Sequence, residues 1–193
     1  MTGQLVSIEK ELSSKGPSGL GMISAVVVNY QGEAYLEACI RSLQAQEIAV
    51  DEIIVVENAS TDGSLNLLNT MFRGVTVVRM KTNGGACTAR NVGMRAAKHR
   101  WVLLVDNDVV MEPSVLGRLS EAICANEGAV MAQPRSVFKD DPTRIHYDGG
   151  DFHYAGLISL HNFGKPRDGA PNEPTEEIDV AISLCLLLDK KEI

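Results

Sequence analysis

The stretch "WVLLVDNDVV", Trp101 to Val110, joins two chemistries that conflict. Trp101 to Val105 suits a strand buried on both faces. It runs directly into Asp106, Asn107 and Asp108. A carboxylate at the end of an apolar strand is costly unless its charge is compensated. Two of them, one residue apart, call for a positive partner. An Asp-x-Asp unit presents hard oxygen ligands for Mg²⁺ or Mn²⁺. Mg²⁺ is commonly held by one or two protein carboxylates, with substrate phosphates completing its shell. The plainer alternative is a loop in which Asp caps a turn. An EF-hand is excluded, because the downstream Gly and acidic positions are absent.

Outward from this stretch the chain alternates. "ISAVVVNY" carries a short β-branched run, Ile23 to Val28, followed by "EAYLEACIRSLQAQ", where Leu36, Ile40 and Leu43 recur at helical spacing. "DEIIVVENAS" is a second buried strand, and Ser60, Thr61 and Asp62 cap the helix after it. "VTVVRM" is a third strand, and "GGACTARNVGMRAAKHR" reads as a helix. After the fourth strand comes "PSVLGRLSEAICANEG", with Pro113 in its first turn and Gly128 past its end. "AVMAQPRSV" is a fifth strand and "IDVAISLCLLL" a last one. Short strands alternating with longer helices imply right-handed βαβ units, hence an α/β fold with a mostly parallel sheet flanked by helices in three α/β/α layers. Past Pro134 the alternation stops, and residues 140–177 are rich in Gly, Pro, Asp and His. The expected organisation is a leader at 1–22, an α/β half at 23–135, and the start of a second half at 136–193.

Composition narrows the function classes. The chain has 193 residues, 45% hydrophobic and 22% charged, with a net charge of −7. With no polybasic cluster, a nucleic-acid partner is not expected. Cys39, Cys87, Cys124 and Cys185 form no CxxC pair, which argues against structural zinc and a disulfide framework and for a reducing compartment. Without a signal-like h-region or an apolar run of spanning length, the expected location is cytoplasmic, at most peripheral to the inner membrane. His146, His153 and His161 are too irregularly spaced to suggest a metal site.

In open parallel sheets, ligands sit beyond the carboxyl ends of the strands. Here those ends all turn polar: Asn29 and Tyr30 after the first, Glu57 and Asn58 after the second, Asn83 with Gly84 and Gly85 after the third, Asp106 and Asp108 after the fourth. Glu57 suits a nucleobase imide or ribose hydroxyl, Arg90 a base or phosphate, and the Asn-Gly-Gly turn a close anion approach. Taken singly, each has a structural alternative, such as a helix start, a tight turn or a covered sheet edge.

The ordered set "AVVVNYQGEAYLEACIRSLQAQ", "DEIIVVENASTDGS", "NGGACTARNVGMRAA" and "VLLVDNDVVMEPSVLGRL" resembles the family-2 glycosyltransferases of the GT-A fold, nearest to their rhamnosyltransferase-like branch. The similarity covers residues 23 to 135, more weakly to Ile193. It implies metal-dependent, inverting transfer of a sugar from a nucleoside diphosphate donor (UDP-, dTDP- or GDP-linked) to a saccharide or lipid-linked acceptor. By that resemblance Asn29 and Tyr30 border the nucleoside, and Glu57 stands where the family usually has Asp, contacting the base. Asn83 and Arg90 lie near the nucleotide, Asp106 near the ribose or metal, and Asp108 binds the Mg²⁺ or Mn²⁺. The family's catalytic base falls beyond the strand resembling "IDVAISLCLLLDKKEI", so no catalytic residue is assigned and a C-terminally truncated chain is expected. A non-catalytic nucleotide-binding or assembly module of the same fold is the second reading. A nucleotidyltransferase ranks lower, since "NYQGEAYL" stands where its Gly-rich signature belongs, and no GxGxxG supports a dinucleotide enzyme.

Overall fold

The structure is a computed structural model that describes residues 19–169 and 177–193. Of the expected leader, residues 1–18 lie outside the described residues. By contact the chain divides into two units. The first contains the described residues up to Ala132 together with Ser183–Ile193, and the second is Gln133–Ile182.

The first unit alternates β1 (Ile23–Asn29), α1 (Leu36–Gln44), β2 (Glu52–Glu57), α2 (Ser64–Met71), β3 (Thr76–Arg79), α3 (Gly85–Ala96), β4 (Trp101–Asp106), α4 (Val115–Ala125) and β5 (Met131–Ala132). β10 (Cys185–Asp189) completes it. The sheet order is β3-β2-β1-β4-β10-β5. β1 pairs in parallel with β2 and β4, and β2 with β3.

The strands alternate their side chains between two apolar layers, which is why they read as continuous hydrophobic runs rather than as alternating ones. On one face Ala25, Val27, Leu103 and Val105 join Leu36, Ile40 and Leu43 of α1, Leu68 of α2, and Leu116, Leu119 and Ile123 of α4 in one core. On the other face, α3 packs against β1 and β2. Its Gly93 sits so close that an added Cβ would lie 2.2 Å from Val26 Cγ1 and 3.0 Å from Val56 Cγ2. Three layers follow.

The sheet differs from the sequence expectation in two places. The expected fifth strand is split: only Met131–Ala132 joins the sheet, while Ser136–Val137 forms β6 of the second unit. Pro134 between them has no N–H to donate to a ladder. The last strand is confined to Cys185–Asp189 and runs antiparallel to both neighbours, β4 and β5. A uniformly buried run looks the same in either direction, so its sequence could not reveal this. Buried Asp189 anchors it: Arg100 Nε donates to Asp189 Oδ2 at 2.7 Å, and Lys190 N–H donates to the Arg100 carbonyl at 3.0 Å.

The second unit holds two hairpins, β6 with β7 (Ile145–Tyr147) and β8 (Gly150–Phe152) with β9 (Ile158–Leu160). A 3₁₀ turn at Arg167–Gly169 follows. Arg135 pairs with Asp148 at 2.7 Å, and Asp148 also accepts from Asn162 at 2.8 Å. Ile182 N–H donates to Gln133 Oε1 at 2.8 Å, so the two ends of this unit meet. No helix among the described residues is long and apolar enough to cross a membrane.

Candidate functional site

Register brings the polar strand ends level. Asn29 pairs with Glu57, and Val28 with Asp106, so three neighbouring parallel strands finish at one edge. Asn29 is wholly buried at its centre. Its Nδ2 donates to Glu57 Oε2 at 2.7 Å, and its Oδ1 accepts from Asn107 Nδ2 at 2.8 Å. The other Glu57 oxygen accepts from Ser60 N–H at 2.8 Å. A buried carboxylate is tolerated when its oxygens are hydrogen-bonded, and here both are. Gly32 roofs this network: a Cβ there would come within 2.1 Å of both Asn29 Oδ1 and Asn107 Nδ2.

Beside it, Arg90 reaches from α3 to Asp106, Nη2 to Oδ1 at 2.5 Å. Burial raises the Asp106 carboxyl above its usual range; the Arg90 charge and hydrogen bond pull the other way, and neighbouring Asp108 adds to the rise. Asp108 itself is exposed and enters no ion pair among the described residues. The acidic pair is thus divided: Asp106 is matched by a cation of the protein, and Asp108 is left for another. That answers the conflict within "WVLLVDNDVV" in part.

A third cluster fixes the approach to α3. Asn58 Nδ2 donates to Asn83 Oδ1 at 2.9 Å, while Asn58 Oδ1 accepts from Gly84 N–H at 2.9 Å. Asn83 Oδ1 also accepts from Gly85 N–H at 2.9 Å. Gly85 has φ of 78°, a left-handed conformation that favours glycine at this turn.

Of the seven expected residues, Asn29, Glu57, Asn83, Arg90 and Asp106 enter these three clusters, and Tyr30 and Asp108 follow β1 and β4 in the chain as exposed neighbours. Asn29 and Glu57 are buried and bonded to each other, whereas Tyr30, Asn83 and Asp108 are exposed. Arg90 is committed to Asp106 rather than standing free. Asn107, Ser60, Asn58 and Gly32 join the same clusters without having been singled out for a site. Asn107 stands in the polar end of the fourth strand without a role assigned from sequence, and its amide is the link from β4 to β1.

A divalent cation fits this donor set in one way only. Among the described residues no group of three or more His, Cys, Asp and Glu side chains gathers to hold a metal. Asp108, with the Asp106 oxygen not taken by Arg90, would supply at most two carboxylates, and phosphate oxygens would have to complete the shell.

The mostly parallel sheet between helices, with its polar groups gathered beyond the strand ends, is the architecture of glycosyltransferases of the GT-A type, to which the following comparisons tie it. The profile of the family described as Glycosyl transferase family 2 matches residues 24–190, and the chain belongs to that family. It is 33% identical over 105 residues to an uncharacterised glycosyltransferase of Haemophilus influenzae, covering 54% of this chain and 35% of the relative. To the glycosyltransferase GlyG of Streptococcus pneumoniae it is 28% identical over 113 residues, 57% of this chain and 38% of GlyG. The crystal structure of S. aureus TarS 1-349 is similar with a TM-score of 0.51 and 25% identity, covering 61% of this chain and 38% of that one. The chain thus spans only about a third of the length of these relatives.

Proposed function

We propose that the chain forms the donor-binding part of a glycosyltransferase that moves a sugar, with inversion, from a UDP-, dTDP- or GDP-sugar to a hydroxyl of a saccharide or lipid-linked acceptor. The rhamnosyltransferase-like branch is the nearest setting for it. The observation that carries this reading is the division of labour at the β4 end. Arg90 neutralises Asp106, while Asp108 stays exposed without an ionic partner beside it.

Mg²⁺ or Mn²⁺ bound there would stabilise the charge developing on the departing diphosphate. Asp108 would hold it. Arg90 keeps Asp106 fixed and limits the negative charge facing the phosphates. Glu57 and Asn29, rigid because each satisfies the other, shape the nucleoside side, and Tyr30 lies next to them as an exposed apolar face. Asn83 and the Gly84–Gly85 turn offer backbone close to the phosphates.

Thermal denaturation with UDP, GDP or dTDP, each with and without Mn²⁺, tests this. At a hundredfold excess over Kd a bound ligand adds about 2.7 kcal/mol, which for a chain of this size raises the melting temperature by roughly 5–10 °C. The rise should require metal and vanish in Asp108→Ala. Flat melting curves with all three nucleotides and metal would refute the proposal. Sugar transfer or donor hydrolysis by the purified chain would separate a transferase from a binding module of the same fold.

A further inference from the structure

Gln31 is exposed, in the loop between β1 and α1, and its backbone takes φ of 52°. Across from it, in the loop between β2 and α2, Ala59 takes φ of 63°. Residues with a Cβ occupy this region only where their surroundings over-determine it. The surroundings here are each other's loop.

Gln31 Oε1 accepts from the N–H groups of Thr61 at 2.9 Å and Asp62 at 3.2 Å. Its Nε2 donates to Thr61 Oγ1 at 3.0 Å, and its own N–H donates to Ser60 Oγ at 3.0 Å. Glu33 repeats the pattern one step on. Its N–H donates to Asp62 Oδ2 at 2.9 Å, and its Oε2 accepts from Gly63 N–H at 2.9 Å. The approach to α2 is therefore capped from the opposite loop, and Gly63 at the helix start supplies no side-chain cap of its own.

The clamp ends on the site. Ser60, gripped by Gln31, donates its N–H to Glu57 Oε1 and accepts from Asn29 Nδ2 at 3.3 Å. The buried Asn29–Glu57 pair is tied through one serine to an exposed glutamine. We propose that Gln31 is a positioning residue for the nucleoside side of the donor site: its N–H holds Ser60, its side chain fixes the adjoining Thr61 and Asp62 amides, and the turn so held seats the Glu57 carboxylate; this rests on the donor-binding reading above. The Gln31 side chain acts through the 60–62 turn beside Glu57, so its removal should weaken nucleoside recognition and spare diphosphate recognition.

Calorimetric titration of the purified chain in Mn²⁺ separates the two, using UDP, GDP, dTDP and inorganic pyrophosphate as probes. Gln31→Gly relieves the backbone strain, keeps the N–H that donates to Ser60 and deletes the side-chain bonds to Thr61 and Asp62, so the variant should fold with the 60–62 turn loosened. It should weaken the tightest nucleotide about tenfold, equivalent to 1.4 kcal/mol, and leave pyrophosphate within about twofold. Gln31→Glu keeps acceptors for the Thr61 and Asp62 amides and should recover most of the loss. Unaltered nucleotide affinity in Gln31→Gly, an equal loss for nucleotide and pyrophosphate, or no recovery in Gln31→Glu would each overturn the inference. Failure of the unsubstituted chain to bind any nucleotide would instead overturn the donor reading beneath it.

Discussion

Gly93→Ala is the sharpest available probe of how α3 is seated. The new methyl would lie 2.2 Å from Val26 Cγ1 and 3.0 Å from Val56 Cγ2. Carbon atoms settle at about 3.5–4.0 Å, so the helix must lift by more than about 1 Å or the valines must turn. The valines have little freedom to do so: Val26 is 1% exposed, Val56 is fully buried, and both are β-branched strand residues. Overpacking of this kind costs about 1–3 kcal/mol, against which replacing a mid-helix Gly by Ala returns roughly 0.5–1 kcal/mol. The 2.2 Å contact puts the cost at the upper end, about 3 kcal/mol, and the net loss of about 2–2.5 kcal/mol should lower the melting temperature by roughly 4–10 °C. Denaturation of Gly93→Ala, Val26→Ala and the double variant gives the decisive number. Val26→Ala clears the nearest clash, so the two losses should fall short of additive by about 1 kcal/mol. Additive losses, or a Gly93→Ala chain as stable as the original, would refute the close packing. The same lift would displace Arg90, one turn earlier on α3, and nucleotide affinity should fall with it.

Gly32→Ala places a methyl within 2.1 Å of the Asn29–Asn107 hydrogen bond and should abolish metal-dependent nucleotide stabilisation, seen as a lost melting shift. Ala59→Gly relieves a left-handed backbone at φ of 63° and should add about 0.5–1 kcal/mol of stability in urea denaturation. In acid, Asp189 matters because hydrogen bonds from Arg100, above all, hold its carboxyl below the usual range, despite burial. Its contribution is present above the ordinary value of about 3.9 and lost as pH falls through the lower folded value. Asp106, raised by burial, works in the opposite sense, its contribution being lost as pH rises through the raised value. Melting temperature measured against pH should therefore drop below about pH 4, and drop less steeply in Asp189→Asn; a rise in that range would contradict the Asp189 assignment.

The sequence carried the layers and the ligand edge because both arise from local pattern. Ile23 to Val28 and Trp101 to Val105 are apolar without alternation, and each run breaks into polar residues at its carboxyl end. What it could not carry depends on rotation and direction. Arg90 meets Asp106 because close seating of Gly93 turns that face of α3 toward the β4 end, and helical spacing alone does not specify such a rotation. Asn29 and Glu57 looked ligand-facing, yet as register partners they share a face and satisfy each other. Gln31 gave no signal at all, because its partners lie across a loop in residues 60–62.

The antiparallel seat of β10 has a consequence for how the molecule is made. β4 can pair with β1 as soon as Asp106 has been synthesised, but its other edge finds its partner only at Cys185. Until then a strand apolar from Trp101 to Val105 presents unpaired amides and carbonyls, the arrangement most prone to joining the wrong chain. β5, made earlier than β10, reaches the sheet only through it. Sheet closure is thus a late, long-range event that waits on Gln133–Ile182. A chain stopped before Cys185 should aggregate through β4, while one reaching Asp189 covers it.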